Sequence, residues 1–159
     1  MTVLIAHRGN INGPNPEKEN DPLYLEEALK LGYFVETDIW LEDDEYYLGH
    51  DKPQYLISLE WLDQYRNKIF LHCKNVGALQ ALMWDFHCFS HDRDEAVLTS
   101  QKLIWLYPGV EKKLLKETLS ECIIVMPEWN KDNDIEQFLP FCFGVCSDYV
   151  TDLVKSTTN

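Results

Sequence analysis

The chain has 159 residues, of which 45% are hydrophobic and 26% charged, a composition typical of folded globular proteins that excludes disorder as the main state. This length predicts a single domain over residues 1–159. With 14 Lys and Arg against 27 Asp and Glu, the formal net charge is -13, so the surface repels nucleic acid and anionic membranes. A phosphate-bearing ligand therefore needs cations gathered in one cleft or a bound metal ion.

No apolar run approaches the ~20 residues that a membrane span requires. The first residues lead directly into the apolar run Val3-Leu4-Ile5-Ala6 without the basic segment of a secretory signal. The five Cys lie mostly in short apolar runs and indicate no disulfide framework. We therefore expect a cytoplasmic protein without a membrane span.

Short apolar runs rich in β-branched and aromatic residues alternate with segments of helical periodicity, which is the pattern of βα units. The predicted strands cover residues 3–7, 34–40, 69–74, 87–90, 96–100, 103–107, 122–126 and 141–146. The predicted helices cover residues 22–31, 58–66, 76–86, 110–119, 132–139 and 149–155. Ser58 and Asp132 are suitable N-caps, and Gly32 suits a helix end.

Two segments depart from a regular βα alternation. After the second strand, Glu42-Asp43-Asp44 predicts a turn into Tyr46-Tyr47-Leu48 and hence a hairpin. In the middle of the chain, residues 92–95 and 101–102 are too short for crossover helices. Either neighbouring strands are joined there by tight connections, or one predicted strand is wrong.

Eight strands with mostly helical connections predict an α/β fold, specifically a compact (β/α) TIM-like barrel. Because such barrels usually need ~200 residues or more, some helices are expected to be reduced or missing. An open α/β sheet is the alternative, since its buried parallel strands have the same sequence pattern.

Polar residues follow the carboxyl end of nearly every predicted strand, which is the edge that carries the chemistry in both folds. The residues concerned are His7-Arg8-Gly9, Glu36-Thr37-Asp38, His50-Asp51, His72-Cys73-Lys74, His91-Asp92, Glu128 and Ser147-Asp148. Any one of them could be a helix cap or a solvated loop residue. Their recurrence at one edge favours a functional site.

Glu36 and Asp38 are two residues apart on one strand, so both side chains point to the same face. Paired carboxylates repel each other unless a cation or a proton lies between them, and Mg²⁺ or Ca²⁺ would bind their oxygens. His72 and Lys74 share a face of the next strand, where His72 could be a third ligand and Lys74 a charge for a phosphate oxygen.

The ordered set His7-Arg8-Gly9, Glu19-Asn20, Glu36-Thr37-Asp38 and His50-Asp51 resembles the glycerophosphodiester phosphodiesterase family. That family belongs to a group of barrels that includes the phosphatidylinositol-specific phospholipases C. The resemblance covers residues 7–51, and the chain would be a short, divergent member. Beyond residue 75 the resemblance is limited to the expected fold.

The resemblance implies that His7 and His50 form a general acid/base pair and that Glu36 and Asp38 bind a metal ion. A third acidic ligand is usual in the family, but His72 occupies the matching position here. We expect a divalent ion, with Mg²⁺ as the first candidate and Mn²⁺ or Ca²⁺ as alternatives. The imidazole of His72 suits Mn²⁺ or Zn²⁺ better than Ca²⁺.

The resemblance further implies that Arg8 and Lys74 contact the phosphate and that Asn20 shapes the substrate-binding site. His91, which follows the fourth strand, is a further candidate for substrate binding.

The function that the resemblance implies is metal-dependent cleavage of a small phosphodiester, with a glycerophosphodiester or a sugar phosphodiester as the substrate class. Two histidines would act as general acid and base, and a neighbouring hydroxyl would produce a cyclic phosphate. One alternative is a non-catalytic module that binds an anion or a protein, and another is a metal-dependent sugar-phosphate isomerase or lyase. If part of the helical coat is missing, self-association into a homo-oligomer would cover exposed strands.

Overall fold

The computed structural model describes residues 2–130 and 134–157, which form a mixed α/β fold. The strands are β1 (Val3–His7), β2 (Phe34–Glu42), β3 (Glu45–Leu48), β4 (Tyr55–Ile57), β5 (Ile69–Cys73), β6 (His87–Phe89), β7 (Ala96–Leu98), β8 (Ile104–Leu106), β9 (Cys122–Val125) and β10 (Gly144–Ser147). The α-helices are α1 (Pro22–Lys30), α2 (Leu59–Gln64), α3 (Val76–Leu82) and α4 (Val150–Thr157). Four short 3₁₀ turns cover Val110–Lys113, Lys116–Thr118, Pro127–Trp129 and Ile135–Gln137.

Eight strands form a curled sheet in the order β6-β5-β2-β1-β10-β9-β8-β7. All neighbours in this series are parallel except β7, which runs antiparallel to β8. The curl brings Phe70 of β5 and Trp105 of β8 to a ring separation of 5.9 Å, although these strands are not paired. This arrangement is consistent with a TIM-like fold.

Within the described residues, β6 and β7 at the two ends of this series are not paired as strands. Two hydrogen bonds join the chain there instead: Ser100 donates its backbone N–H to the Cys88 carbonyl over 2.8 Å, and Cys88 donates its N–H to the Ser100 hydroxyl over 2.9 Å. The tight connection from β7 to β8 requires Lys102 to adopt a φ of 66°. The expectation of a tight connection between neighbouring strands is confirmed for residues 101–102, which join the paired strands β7 and β8, but not for residues 92–95, since β6 and β7 form no strand ladder in the described residues.

The predicted hairpin after the second strand is confirmed as the β2–β3 pair. Asp43 and Asp44 both have positive φ, at 50° and 64°, as a type I′ turn requires, and Glu42 pairs with Glu45. The hairpin returns the chain to Gly49, whose backbone N–H donates to the Asp38 carbonyl. A Cβ on Gly49 would lie 2.2 Å from the Lys52 carbonyl oxygen, so only glycine fits before His50.

Side-chain caps start the first three helices, since Asp21, Ser58 and Asn75 each accept a backbone N–H from the first turn. The helices pack on the outer face of the sheet, where α1 contributes Leu25, Ala28 and Leu29. No helix in the described ranges combines the length and the apolar character that a membrane crossing needs.

A separate apolar cluster fills the inner side of the curled sheet. Its buried members are Ile5, Phe70, Phe89, Leu103, Trp105, Ile123, Val125, Met126 and Cys146. Phe70 is fully buried at its centre, and its ring contacts those of Phe34, His87 and Trp105. This cluster lies below the polar edge and supports it.

Phe70→Ala is therefore expected to lower the free energy of unfolding by about 3–5 kcal/mol, because it removes a fully buried ring and leaves a cavity. Urea denaturation followed by circular dichroism measures the change. Leu56→Ala, at a side chain that is 60% exposed, is the matched control and should change stability little. Equal stability losses in the two variants would contradict the assigned inner core.

The predicted helix over residues 110–119 is wrong. The structure has 3₁₀ turns over Val110–Lys113 and Lys116–Thr118, separated by an extended backbone at Leu114. Val110 and Leu119 are buried, whereas Leu115 is 72% exposed, so no continuous apolar stripe supports a regular helix.

The predicted helix over residues 132–139 lies partly outside the described residues, and so does its proposed cap Asp132. From Asp134 onward the chain forms only the 3₁₀ turn Ile135–Gln137, so the described part of this prediction is wrong. The predicted final helix is confirmed as α4. Reduced helices on this side agree with the expected shortening of the helical coat.

Candidate active site

The carboxyl ends of the parallel strands surround a cavity of about 700 Å³. The predicted site residues that line it are His7, Arg8, Glu36, His50, His72, Lys74 and His91. An apolar wall contains Phe89, Trp105, Tyr107, Met126 and Trp129. The predicted convergence of polar residues at one edge of the sheet is therefore present in the structure.

Glu36, Asp38 and His72 form a cluster whose candidate ligand atoms all lie within 4.8 Å of one another. Glu36 and Asp38 are buried on one face of β2. Val35 and Ile39 alternate with them, so they face the opposite side and pack into the outer core. His72 places its Nδ1 3.0 Å from Asp38 Oδ1. Two carboxylates and one imidazole at these distances could hold a metal ion.

The two carboxylates differ in their electrostatic environment. Burial and the neighbouring Asp38 charge raise the pKa of Glu36 above its usual range. Burial alone would also raise the pKa of Asp38, but the imidazoles of His50 and His72 and the Arg8 charge hold it well below its usual range. Asp38 is therefore ionised at neutral pH, and Glu36 is the member that favours a proton or a further cation.

Two observations test whether these residues fit a divalent ion. Asp38 Oδ1 is buried and accepts no hydrogen bond of good geometry from the described residues. In addition, Glu19 and Asp38 lie against the permanent cations Arg8 and Lys74, and Glu36 and Asp148 lie against His7. When all four carboxylates are ionised and His7 is neutral, they exceed the two cations by two negative charges. An orphaned carboxylate oxygen and this charge deficit both fit a bound dication.

His7 is oriented by Asp148, which accepts a 2.8 Å hydrogen bond from Nδ1. Its other nitrogen, Nε2, lies 3.9 Å from Glu36 Oε2. Burial lowers the pKa of His7, but the bond to Asp148 and the charge of Glu36 outweigh it, so the pKa lies above its ordinary value. The carboxylate thus fixes the ring and favours its protonated form.

His50 lies against the other carboxylate of the pair. Its Nδ1 is 2.7 Å from Arg8 Nη2 and 3.2 Å from Asp38 Oδ2. A guanidinium only donates and a carboxylate only accepts, so this nitrogen accepts from Arg8 when it is unprotonated and donates to Asp38 when it is protonated. The tautomer of His50 therefore decides which neighbour its Nδ1 binds.

Arg8 is held by two carboxylates as well as by His50. Its Nη1 donates to Glu19 over 3.1 Å, and its Nε lies 3.1 Å from Asp38 Oδ2. Arg8 adopts a φ of 51°, and the next residue, Gly9, has a φ of 90°. A Cβ on Gly9 would lie only 2.9 Å from Tyr24 Cδ1. Arg8 thus lines the cavity from a left-handed backbone conformation that non-glycine residues rarely adopt.

Lys74 lines the cavity with its Nζ 3.6 Å from Asp38 Oδ1. Asn20 does not line the cavity: it is buried, donates to Asp38 Oδ2 over 3.0 Å and accepts from the Thr37 hydroxyl over 2.7 Å. Lys74 is thus placed to meet an anion, whereas Asn20 orients Asp38.

His91 lines the cavity and stacks on His72 with a ring separation of 4.8 Å. Burial and the neighbouring His72 lower the pKa of His91. At neutral pH its ring is therefore uncharged and can meet a substrate by hydrogen bonding, but not as a cation.

Sequence reasoning placed Glu128 and Asp148 only among the polar residues that follow the strands, and it missed Asn10; these three residues hold the site together. Asn10 donates to both Asp148 and Glu19, over 2.8 and 2.9 Å, and Glu128 accepts the backbone N–H of Asp148 over 2.8 Å. Asp148 follows the last strand, and that position was the signal that could have indicated its role. Its contact with His7 spans 141 residues and no local pattern reports it.

If His7 takes part in catalysis, Asp148→Asn is expected to move one limb of the pH profile of kcat/KM to lower pH. The Asp148 carboxylate raises the pKa of His7, so its removal should lower that pKa. The acid limb of the profile moves if His7 is the general base, and the alkaline limb moves if His7 is the general acid. Turnover should fall by less than the ~10²–10⁴-fold expected from loss of an imidazole itself.

Asp63→Asn, at an exposed ion pair with Arg66 on α2, is the control for this pH profile and should leave both limbs in place. A profile of Asp148→Asn that coincides with the wild type would show that Asp148 does not tune His7.

No family model matches the sequence, and no curated protein sequence matches it. The fold matches the crystal structure of a "putative glycerophosphodiester phosphodiesterase" from Galdieria sulphuraria, with a TM-score of 0.56, 14% identity and coverage of 100% of this chain and 98% of that chain. That protein carries the name of the family that residues 7–51 resemble. At this identity, the likeness shows the fold alone.

Proposed function

We propose that this protein is a metal-dependent phosphodiesterase that acts on a small phosphodiester of the glycerophosphodiester or sugar-phosphodiester class. The observation that carries the proposal is the position of two imidazoles beside a buried carboxylate pair. His7 faces Glu36 at 3.9 Å, and His50 faces Asp38 at 3.2 Å. The neighbour's fold and name support the same class of activity.

In this mechanism, one histidine takes the proton of an attacking hydroxyl as its oxygen bonds to phosphorus. The other histidine gives a proton to the alcohol oxygen as the opposite phosphorus–oxygen bond breaks. If the hydroxyl belongs to the substrate and neighbours the phosphate, the product is a cyclic phosphate. An imidazole can both take up and give up a proton near neutral pH, which suits this exchange.

The charge of the phosphate is met by Arg8 and Lys74, which line the cavity. Glu36, Asp38 and His72 would hold the divalent ion, which when bound supplies Lewis-acid polarisation of a phosphate oxygen. Asn20 keeps Asp38 in position through its buried amide. His91 lies at the wall of the cavity and would hydrogen-bond to the substrate as a neutral ring.

Phosphorus NMR of a panel of glycerophosphodiesters and sugar-linked diesters tests the proposal. The panel is run with chelator-treated protein to which Mg²⁺, Mn²⁺, Ca²⁺ or Zn²⁺ is added. We expect one substrate class to be consumed only when metal is present, with a cyclic phosphate resonance where a neighbouring hydroxyl exists. A double variant His7→Ala/His50→Ala is the control for contaminating phosphatases. If folded protein consumes no diester with any ion, the non-catalytic binding module replaces this proposal.

A further inference from the structure

The ring of His72 is held in one orientation by its neighbours. It lies parallel to Phe89 at 5.1 Å, with only 3° between the planes, and it stacks on His91 at 4.8 Å. Phe89 in turn stacks on Trp105 at 4.4 Å. The side chain of His72 is only 13% exposed, so rotation of the imidazole would disrupt this stack.

The orientation of the ring assigns different tasks to its two nitrogens. Nε2 faces the backbone carbonyl of His91 at 3.4 Å, and a carbonyl can only accept a hydrogen bond. When the ring donates from Nε2 to this carbonyl, Nδ1 carries a lone pair and is free to bind a cation. A backbone carbonyl is a common partner for the distal N–H of a metal-binding histidine, because it fixes the tautomer and the ring direction.

The lone pair of Nδ1 points to the side of the ring where Asp38 lies. Nδ1 is 3.0 Å from Asp38 Oδ1, and that oxygen accepts no well-directed hydrogen bond from the described residues. Two such atoms come this close only when a proton or a cation lies between them. A metal ion would replace the proton that Nδ1 and Asp38 otherwise share.

We propose that His72 binds the metal ion through Nδ1 and that this nitrogen makes the site prefer a first-row transition dication over Mg²⁺ or Ca²⁺. Mg²⁺ and Ca²⁺ are hard ions that select oxygen ligands, whereas Co²⁺ and Zn²⁺ accept imidazole readily. Affinity is expected to rise from Mn²⁺ through Co²⁺ for a site with a nitrogen donor. This inference rests on the metal site of the proposed function and replaces Mg²⁺ as its first candidate.

The test compares metal binding by wild type and His72→Glu, using calorimetry with Mg²⁺, Ca²⁺, Mn²⁺ and Co²⁺. In the wild type we expect Co²⁺ to bind at least about tenfold more tightly than Mg²⁺ or Ca²⁺. His72→Glu should lose about 10- to 100-fold in Co²⁺ affinity and gain affinity for Mg²⁺ or Ca²⁺. His87→Gln, at a histidine outside the cavity lining, is the matched control and should keep the wild-type order.

Pulsed electron paramagnetic resonance of the Mn²⁺-loaded proteins supplies a direct readout of the ligand. A coupling to directly bound ¹⁴N is expected in wild type and His87→Gln and should be absent in His72→Glu. If His72→Glu does not fold, His72→Gln serves in its place and should also lose the nitrogen signal. An unchanged order of affinities or a missing nitrogen signal in folded wild type would overturn the inference.

Hydrolysis of a glycerophosphodiester with each ion is measured on the same samples, which separates the two proposals. If the wild type cleaves a diester but its Mn²⁺ shows no coupling to a bound nitrogen, the role of His72 is rejected and the proposed phosphodiesterase activity stands. If the Mn²⁺ shows a bound nitrogen but no diester is cleaved, the role of His72 as a metal ligand is supported and the proposed activity is rejected.

Discussion

Replacement of His7 by alanine, and separately of His50, is expected to lower kcat for a natural diester by roughly 10²- to 10⁴-fold. Each change removes one of the two groups that move protons, while the carboxylates beside them stay in place. Steady-state kinetics by phosphorus NMR measures the loss. Far-ultraviolet circular dichroism and metal titration are expected to match the wild type, because neither imidazole belongs to the cluster Glu36, Asp38 and His72.

A nitrophenyl diester distinguishes the two histidines. Its leaving group departs without needing a proton, so the variant that lacks the general acid should recover activity on this substrate, whereas the variant that lacks the base should not. The raised pKa of His7 keeps that ring protonated to higher pH and favours it as the acid at neutral pH. Wild-type rates in both variants on a natural diester would exclude acid/base catalysis by this pair.

The double variant Glu36→Gln/Asp38→Asn is expected to reduce divalent metal affinity by more than about 100-fold, since even indirect partners of metal ligands contribute 10- to 100-fold. Diester cleavage should fall to the level of the chelator-treated wild type. Calorimetric titration measures the affinity. Asp63→Asn, at an exposed carboxylate, is the matched control. Equal affinities in the double variant and the wild type would leave the carboxylate pair without its assigned role.

In metal-free protein the two single changes should have opposite effects on stability at neutral pH. Asp38→Asn removes the buried carboxylate beside Lys74 and one of the two carboxylates that hold Arg8, and it should cost about 3–5 kcal/mol. Glu36→Gln removes a carboxylate whose pKa is raised by burial and by Asp38, so it should be neutral or stabilising.

The pH dependence of stability has the corresponding signs. The depressed pKa of Asp38 contributes stability that is present above the unfolded value of ~3.9 and is lost as pH falls. The raised pKa of Glu36 removes stability as pH rises from the unfolded value of ~4.3 through its folded pKa. Urea denaturation of chelator-treated protein across this range measures both. Destabilisation by Glu36→Gln at pH 7 would contradict the assigned environment.

Local patterns in the sequence determined much of the framework that carries the site. Alternation along β2 was enough to place Glu36 and Asp38 on one face, because side chains of a strand have a period of two. The acidic pair Asp43-Asp44 predicted the hairpin that brings back His50, because these residues tolerate positive φ. Polar residues after the strands predicted the position of the site, since parallel strands end at a common edge.

Other features depend on which distant segments meet when the sheet curls. The pairing of His7 with Asp148 joins the two ends of the chain and has no local signal. The helix expected over residues 110–119 was not formed, since its apolar residues do not share one buried stripe. Periodicity depends on residues that are close in sequence and therefore predicts local secondary structure. The hydrogen bond between two side chains 141 residues apart, and the burial of a given side chain, are decided only by tertiary packing.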